Sequence, residues 1–150
     1  MNLSKYITPK TIKLDLKGDT PDEILSEMVD LLCSAGKLST SCKDDAVKAL
    51  IRREKLMSTG LQNGVAIPHA KTTGVEDLVG AMGIKKGGIN FGALDGKPSC
   101  IFVMTLSPKS GPAPHVPFLA EVAKILQDED TCKEITAAKD AHQVIDIMFG

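Results

Sequence analysis

Tryptophan is absent from this 150-residue sequence, tyrosine occurs once and phenylalanine four times. So few rings argue against a sugar site built on aromatic stacking, and bases would find little to stack on. A charge excess is missing too, with 18 Lys and Arg against 19 Asp and Glu. Without a basic footprint, nucleic acid is not an expected partner. No apolar run approaches the roughly 20 residues a membrane span needs. The opening MNLSKYITPK lacks the apolar core of a secretion signal. The cytoplasm is therefore the expected location. The four cysteines (Cys33, Cys42, Cys100 and Cys132) form no CxxC pair. Spaced so widely, they read as small buried hydrophobes in a reducing compartment, not as a disulfide frame or zinc site.

Signature motifs are missing as well. No GxxxxGK[ST] or GxGxxG occurs, so nucleotide cradling has no support. A GxSxG elbow is lacking. The histidines show neither HxH nor HExxH spacing, so no metal is expected. No cofactor is implied by any of these patterns.

What is present is a chain long enough for one domain with a real core, expected to span 1–150. TIKLDLK (11–17) alternates apolar and polar residues, as a half-exposed strand does. Thr20, Pro21 and Glu23 then read as a helix start with a capping box. Ile24, Leu25, Met28, Val29, Leu31 and Leu32 share one face of that helix, and Gly36 ends it. A second helix is expected from near Ser41, with Ala46, Val47, Leu50 and Ile51 inward. Arg52, Arg53 and Lys55 crowd its last turn, where the dipole favours cations.

A loop, STGLQNG, leads to a short strand over 64–68. EDLVGAMGIKKG and INFGALDGKPS read as two more strands joined by glycine-rich turns. CIFVMTL (100–106) is a continuous apolar run, which marks a central strand buried on both faces. SPKSGPAPH is a loop, and Pro117 suits the first turn of a helix facing inward through Phe118, Leu119, Val122, Ile125 and Leu126. DEDTCKEITAAKDA and HQVIDIMF close the chain as two further helices. Interleaved strands and helices predict a three-layer α/β/α sandwich with a mixed central sheet.

Three histidines could carry chemistry. His69 follows Ile67-Pro68, where proline fixes its own φ and holds the preceding residue extended. It thus stands at the expected end of a strand, where α/β proteins place reactive groups. On chemistry alone, a partly buried histidine bonded to backbone explains it as well. His115 precedes a helix start, where N–H groups attract anions and disfavour a protonated ring. His142 lies at a polar helix start and reads as structural. Arg53 offers a bidentate fork for phosphate oxygens. Spacing alone does not separate it from Arg52 or Lys55.

Three stretches carry a resemblance: REKLMSTGLQNGVAIPHAK (53–71), GINFGALDGKPSCIFVMTLSP (88–108) and HVPFLAEVAKILQDE (115–129). With the opening LDLKGDTPDEILSEMVDLL, the chain resembles the EIIA domain of the fructose/mannitol class of the bacterial phosphoenolpyruvate-dependent sugar phosphotransferase system. The resemblance implies that His69 is the phosphorylated nucleophile, through its Nε2. It makes His115 the second active-site histidine and Arg53 the active-site arginine. Pro117 departs from the family's usual helix pattern. The implied partners are the phosphocarrier HPr, or a relative, as donor and an EIIB domain of a sugar permease as acceptor. The membrane is reached only through that permease, and no metal or nucleotide is needed. A nitrogen-related EIIA, acting as a phosphorylation-dependent regulatory binding protein, shares these features. A module that senses phosphate without passing it on is the remaining alternative.

Overall fold

The computed structural model describes residues 2–110 and 115–150. Part of the expected SPKSGPAPH loop, 111–114, lies outside the described residues. Within them the order is β1 (Ile12–Lys13), α1 (Pro21–Ser34), α2 (Lys43–Leu56), β2 (Val65–Ala66), β3 (His69–Thr72), β4 (Val79–Ile89), β5 (Ser99–Pro108), α3 (His115–Leu126), α4 (Glu129–Thr136) and α5 (Ala141–Phe149). The sheet runs β1-β4-β5-β2, and β3 also pairs with β5. β4 and β5 are antiparallel. β1 is parallel to β4, and β2 and β3 are parallel to β5. The sheet is therefore mixed, as expected.

The apolar run of β5 explains the three layers. Residues 101–107 are all buried, and alternate side chains point to opposite faces. Ile101 and Val103 join a core with Phe118 and Val122 of α3, Ile135 of α4 and Val144 of α5. Phe102, Met104 and Leu106 join a second core with Leu25 and Met28 of α1 and Leu50 of α2. One strand thus supplies both hydrophobic cores, which is why it carries no polar alternation. No described helix is long and apolar enough to cross a membrane.

α1 begins as expected: Thr20 caps it by accepting from the Glu23 amide, with Pro21 at the first position. The return bond from Glu23 differs, because its carboxylate accepts from the Asp19 amide and the Thr20 hydroxyl. α2 starts at Lys43, two residues after Ser41, because a tight 3-10 turn over Thr40–Cys42 comes first. Its buried residues are Ala46, Ala49 and Leu50, with Val47 and Ile51 only half-buried.

Four expectations fail for physical reasons. The strand over 11–17 shrinks to Ile12–Lys13. The Glu27 carboxylate captures the amides of Lys17 and Gly18, removing them from a sheet ladder. The strand over 64–68 ends at Ala66, and a new one begins at His69. Proline has no amide to donate, so Pro68 interrupts the ladder. INFGALDGKPS (89–99) is extended only at its two ends, Ile89 closing β4 and Ser99 opening β5. Asn90 and Asp95 accept from the amides of Gly92 and Lys97 two residues on, and Gly92 and Gly96 take positive φ. Such side-chain turns compete with extended pairing. Finally, all four cysteines are free, but only Cys132 is buried and the other three are half-buried.

Candidate functional site

β5 positions the site. In the parallel register, His69 stands opposite Thr105 and Lys71 opposite Ser107. The Thr105 amide donates to the Pro68 carbonyl at 3.0 Å, fixing the start of β3. His69 is therefore the first residue of a strand, not the tip of one. The period of two places His69 and Lys71 on one face of β3, the face of Thr105 and Ser107.

The His69 ring lies 2.9 Å through Nδ1 from the Ile67 carbonyl. A carbonyl only accepts, so Nδ1 carries the proton in that bond. In the neutral ring the lone pair is then left on Nε2. This is the tautomer that a nucleophilic Nε2 requires.

His115 opens α3 and is buried. Its Nδ1 lies 3.1 Å from the Thr105 hydroxyl and its Nε2 bonds the Ser107 hydroxyl. The two imidazole centroids are 5.6 Å apart, with the rings tilted by 57°. Burial, then the charges of His69 and Lys71, lower the His115 pKa from 6.5 to about 4, while a hydrogen bond with the Ala70 backbone acts the other way. His115 is thus neutral near pH 7.

A cleft of about 630 Å³ opens over both rings. Arg52, Arg53, Lys55 and Lys71 line it, and among the described residues no carboxylate does. Arg53 is half-buried, and its Nη1 donates to the Met57 carbonyl at 2.7 Å, closing the end of α2. The guanidinium has five donors, so this bond leaves others for a ligand. Leu56, 83% exposed, lines the cleft, and Met57 (71%) and Val116 (76%) are the exposed chain neighbours of Leu56 and His115.

The structure brings His69, His115 and Arg53 to one cleft. His142 is exposed on α5 and does not line it. Sequence reasoning missed Lys71, Thr105 and Ser107, and left Arg52 unassigned. Signals were available: Lys71 is two residues from His69, and two hydroxyls interrupt the far end of an otherwise apolar central strand. The cationic lining, the neutral second histidine and the free Nε2 suit a dianionic phosphoryl group better than a sugar or a base.

The mixed-sheet α/β/α frame thus sets two imidazoles side by side in a cation-lined cleft. The chain belongs to the phosphoenolpyruvate-dependent sugar phosphotransferase system EIIA 2 family, whose model matches residues 5–149. It is 32% identical over 148 residues to the fructose-specific EIIABC component of Bacillus subtilis, covering 99% of this chain and 23% of that protein. It is 30% identical over 148 residues to a nitrogen regulatory protein of Bradyrhizobium diazoefficiens, covering 99% of this chain and 95% of that one. Among solved structures, nitrogen regulatory protein IIA-Ntr from Neisseria meningitidis superposes with a TM-score of 0.87 at 28% identity, over 99% of each chain.

Proposed function

We propose that the 150 residues form a single EIIA domain that carries a phosphoryl group on His69, in the cytoplasm, between phospho-HPr and an EIIB domain of a fructose-type permease. The observation that carries this reading is the Ile67 bond, which leaves Nε2 of His69 unprotonated beside a neutral His115 in a cationic cleft. The Nε2 lone pair forms an N–P bond as the P–N bond of the donor phosphohistidine breaks, with that electron pair staying on the donor nitrogen. His69 becomes an imidazolium still donating through Nδ1 to Ile67, a bond that strengthens as the ring gains charge. The transition state is loose, with charge spread over the phosphoryl oxygens, so positioned donors do most of the work. Arg53 supplies such a donor, Arg52 and Lys71 add positive potential, and His115 donates to a phosphoryl oxygen by exchanging its Ser107 bond for one to the ligand. The apolar rim of Leu56, Met57 and Val116 suits transient docking of both partners.

Intact-protein mass spectrometry after incubation with phosphoenolpyruvate and the upstream phosphocarriers tests this reading. One added phosphoryl group is expected on the wild type and none on His69→Ala; the same gain on both would overturn it. The name of the B. subtilis relative favours the fructose role. The nitrogen-related alternative draws support from the B. diazoefficiens relative and from the TM-score of 0.87 to IIA-Ntr. Transfer from phosphorylated His69 to a fructose-type EIIB separates the two, as do neighbouring genes for EIIB and EIIC or for nitrogen regulation.

A further inference from the structure

Glu54 sits in the last turn of α2, between Arg53 and Lys55. A carboxylate there opposes the helix dipole, so its position needs another cause. Its Oε2 accepts from the Thr59 amide at 2.7 Å and its Oε1 from the Thr59 hydroxyl at 2.6 Å. Thr59 is buried, at 4% exposure. Its carbonyl accepts from the Ile67 amide at 3.1 Å. The Ile67 carbonyl in turn accepts from His69 Nδ1 at 2.9 Å. Three successive links thus join one carboxylate to the ring of the candidate nucleophile. The turn that carries them is braced further, since the Ser58 hydroxyl bonds the Phe91 carbonyl and the Leu61 amide donates to Val65. Arg53, the neighbour of Glu54, closes the same helix end on Met57.

We propose that Glu54 is a positioning residue for phosphoryl acceptance, holding Thr59 so that the Ile67 carbonyl keeps the proton of His69 on Nδ1 and frees Nε2. This rests on the reading of His69 as nucleophile. An imidazole without such an acceptor exchanges its proton between both nitrogens. Clamping Thr59 therefore sets two things together: the reactive tautomer of His69 and the helix end that presents Arg53. Nothing in the local sequence marks Glu54 for this role, because the bonds that define it close only through the turn.

The test combines nitrogen-15 NMR of the His69 ring, at a pH where it is neutral, with the rate of phosphoryl transfer from phospho-HPr. Glu54→Ala is expected to mix the His69 tautomers and slow acceptance by about tenfold or more, with the KM for the donor little changed. In Glu54→Gln, the amide oxygen accepts from the Thr59 amide and the NH2 group donates to the Thr59 hydroxyl. This variant is expected to restore both the single tautomer and the rate. Wild-type ring shifts in a folded Glu54→Ala, or a Glu54→Gln as impaired as the alanine, would overturn the proposal. Should Glu54→Ala fail to fold, Glu54→Asp draws the carboxylate back from both Thr59 donors, and unchanged His69 shifts in it would be equally fatal. The NMR arm needs no phosphoryl donor, so it reads the relay even if His69 proves not to accept phosphate.

Discussion

Thr105 faces His69 across the β3–β5 register and holds Nδ1 of His115 at 3.1 Å. Its amide also fixes Pro68. One residue of a buried strand thus sets the spacing of both imidazoles. Thr105→Val keeps the shape and removes the hydroxyl. It should leave a buried ring nitrogen without its partner, at a cost of about 1–3 kcal/mol. Denaturant unfolding measures that cost. Phosphoryl transfer onward should slow as His115 loses its orientation, and wild-type values in both assays would refute the bracing role.

The His115 pKa near 4 gives stability a pH dependence. Below about 6.5 the unfolded imidazole takes up a proton, while the folded one stays neutral down to about 4. The unfolded state binds more protons in that window, so stability is fully present above it and declines as pH falls through it. The contribution lost is about 3 kcal/mol. His115→Gln removes the titration, so unfolding free energies at the two ends of the window should differ less in the variant.

His115→Ala should still gain a phosphoryl group on His69 by mass spectrometry, because Nε2 of His69 is freed by Ile67 and not by His115. Onward transfer to EIIB should slow. Full-speed transfer would count against His115 as an oxygen partner.

Arg53→Lys should lose rate clearly. A single ammonium cannot both hold the Met57 carbonyl and offer a planar fork to phosphoryl oxygens. Rapid-quench kinetics with phospho-HPr would expose this, and a wild-type rate would remove Arg53 from the mechanism.

Leu56 and Val116 are exposed and outside both cores. Leu56→Asp and Val116→Asp should leave the melting temperature almost unchanged, as surface changes usually do. The KM for the donor should rise while His69 remains competent. An unchanged KM in steady-state transfer would show that the partners dock elsewhere.

Much of this was legible from local pattern. The Thr20 cap, the face of α1 and the apolar run of β5 state their own structure, because periodicity and capping are short-range effects. His69, His115 and Arg53 were likewise found in the sequence, though composition and spacing alone left His69 and Arg53 with structural explanations. The resemblance to a known family turned them into a candidate site. The strand expected over 89–99 misled because β-like apolar residues there compete with Asx turns and positive-φ glycines. Thr105, Ser107 and Lys71 stayed hidden for a different reason. Their roles depend on which strand lies beside which, and on a parallel register between β3 and β5 more than thirty residues apart in the chain. The sequence by itself determined the layers, the core and the candidates for the reactive side chains. Only the tertiary structure decided the tautomer of His69, the neutrality of His115 and the cationic lining, since each arises from groups that meet only when the sheet has formed.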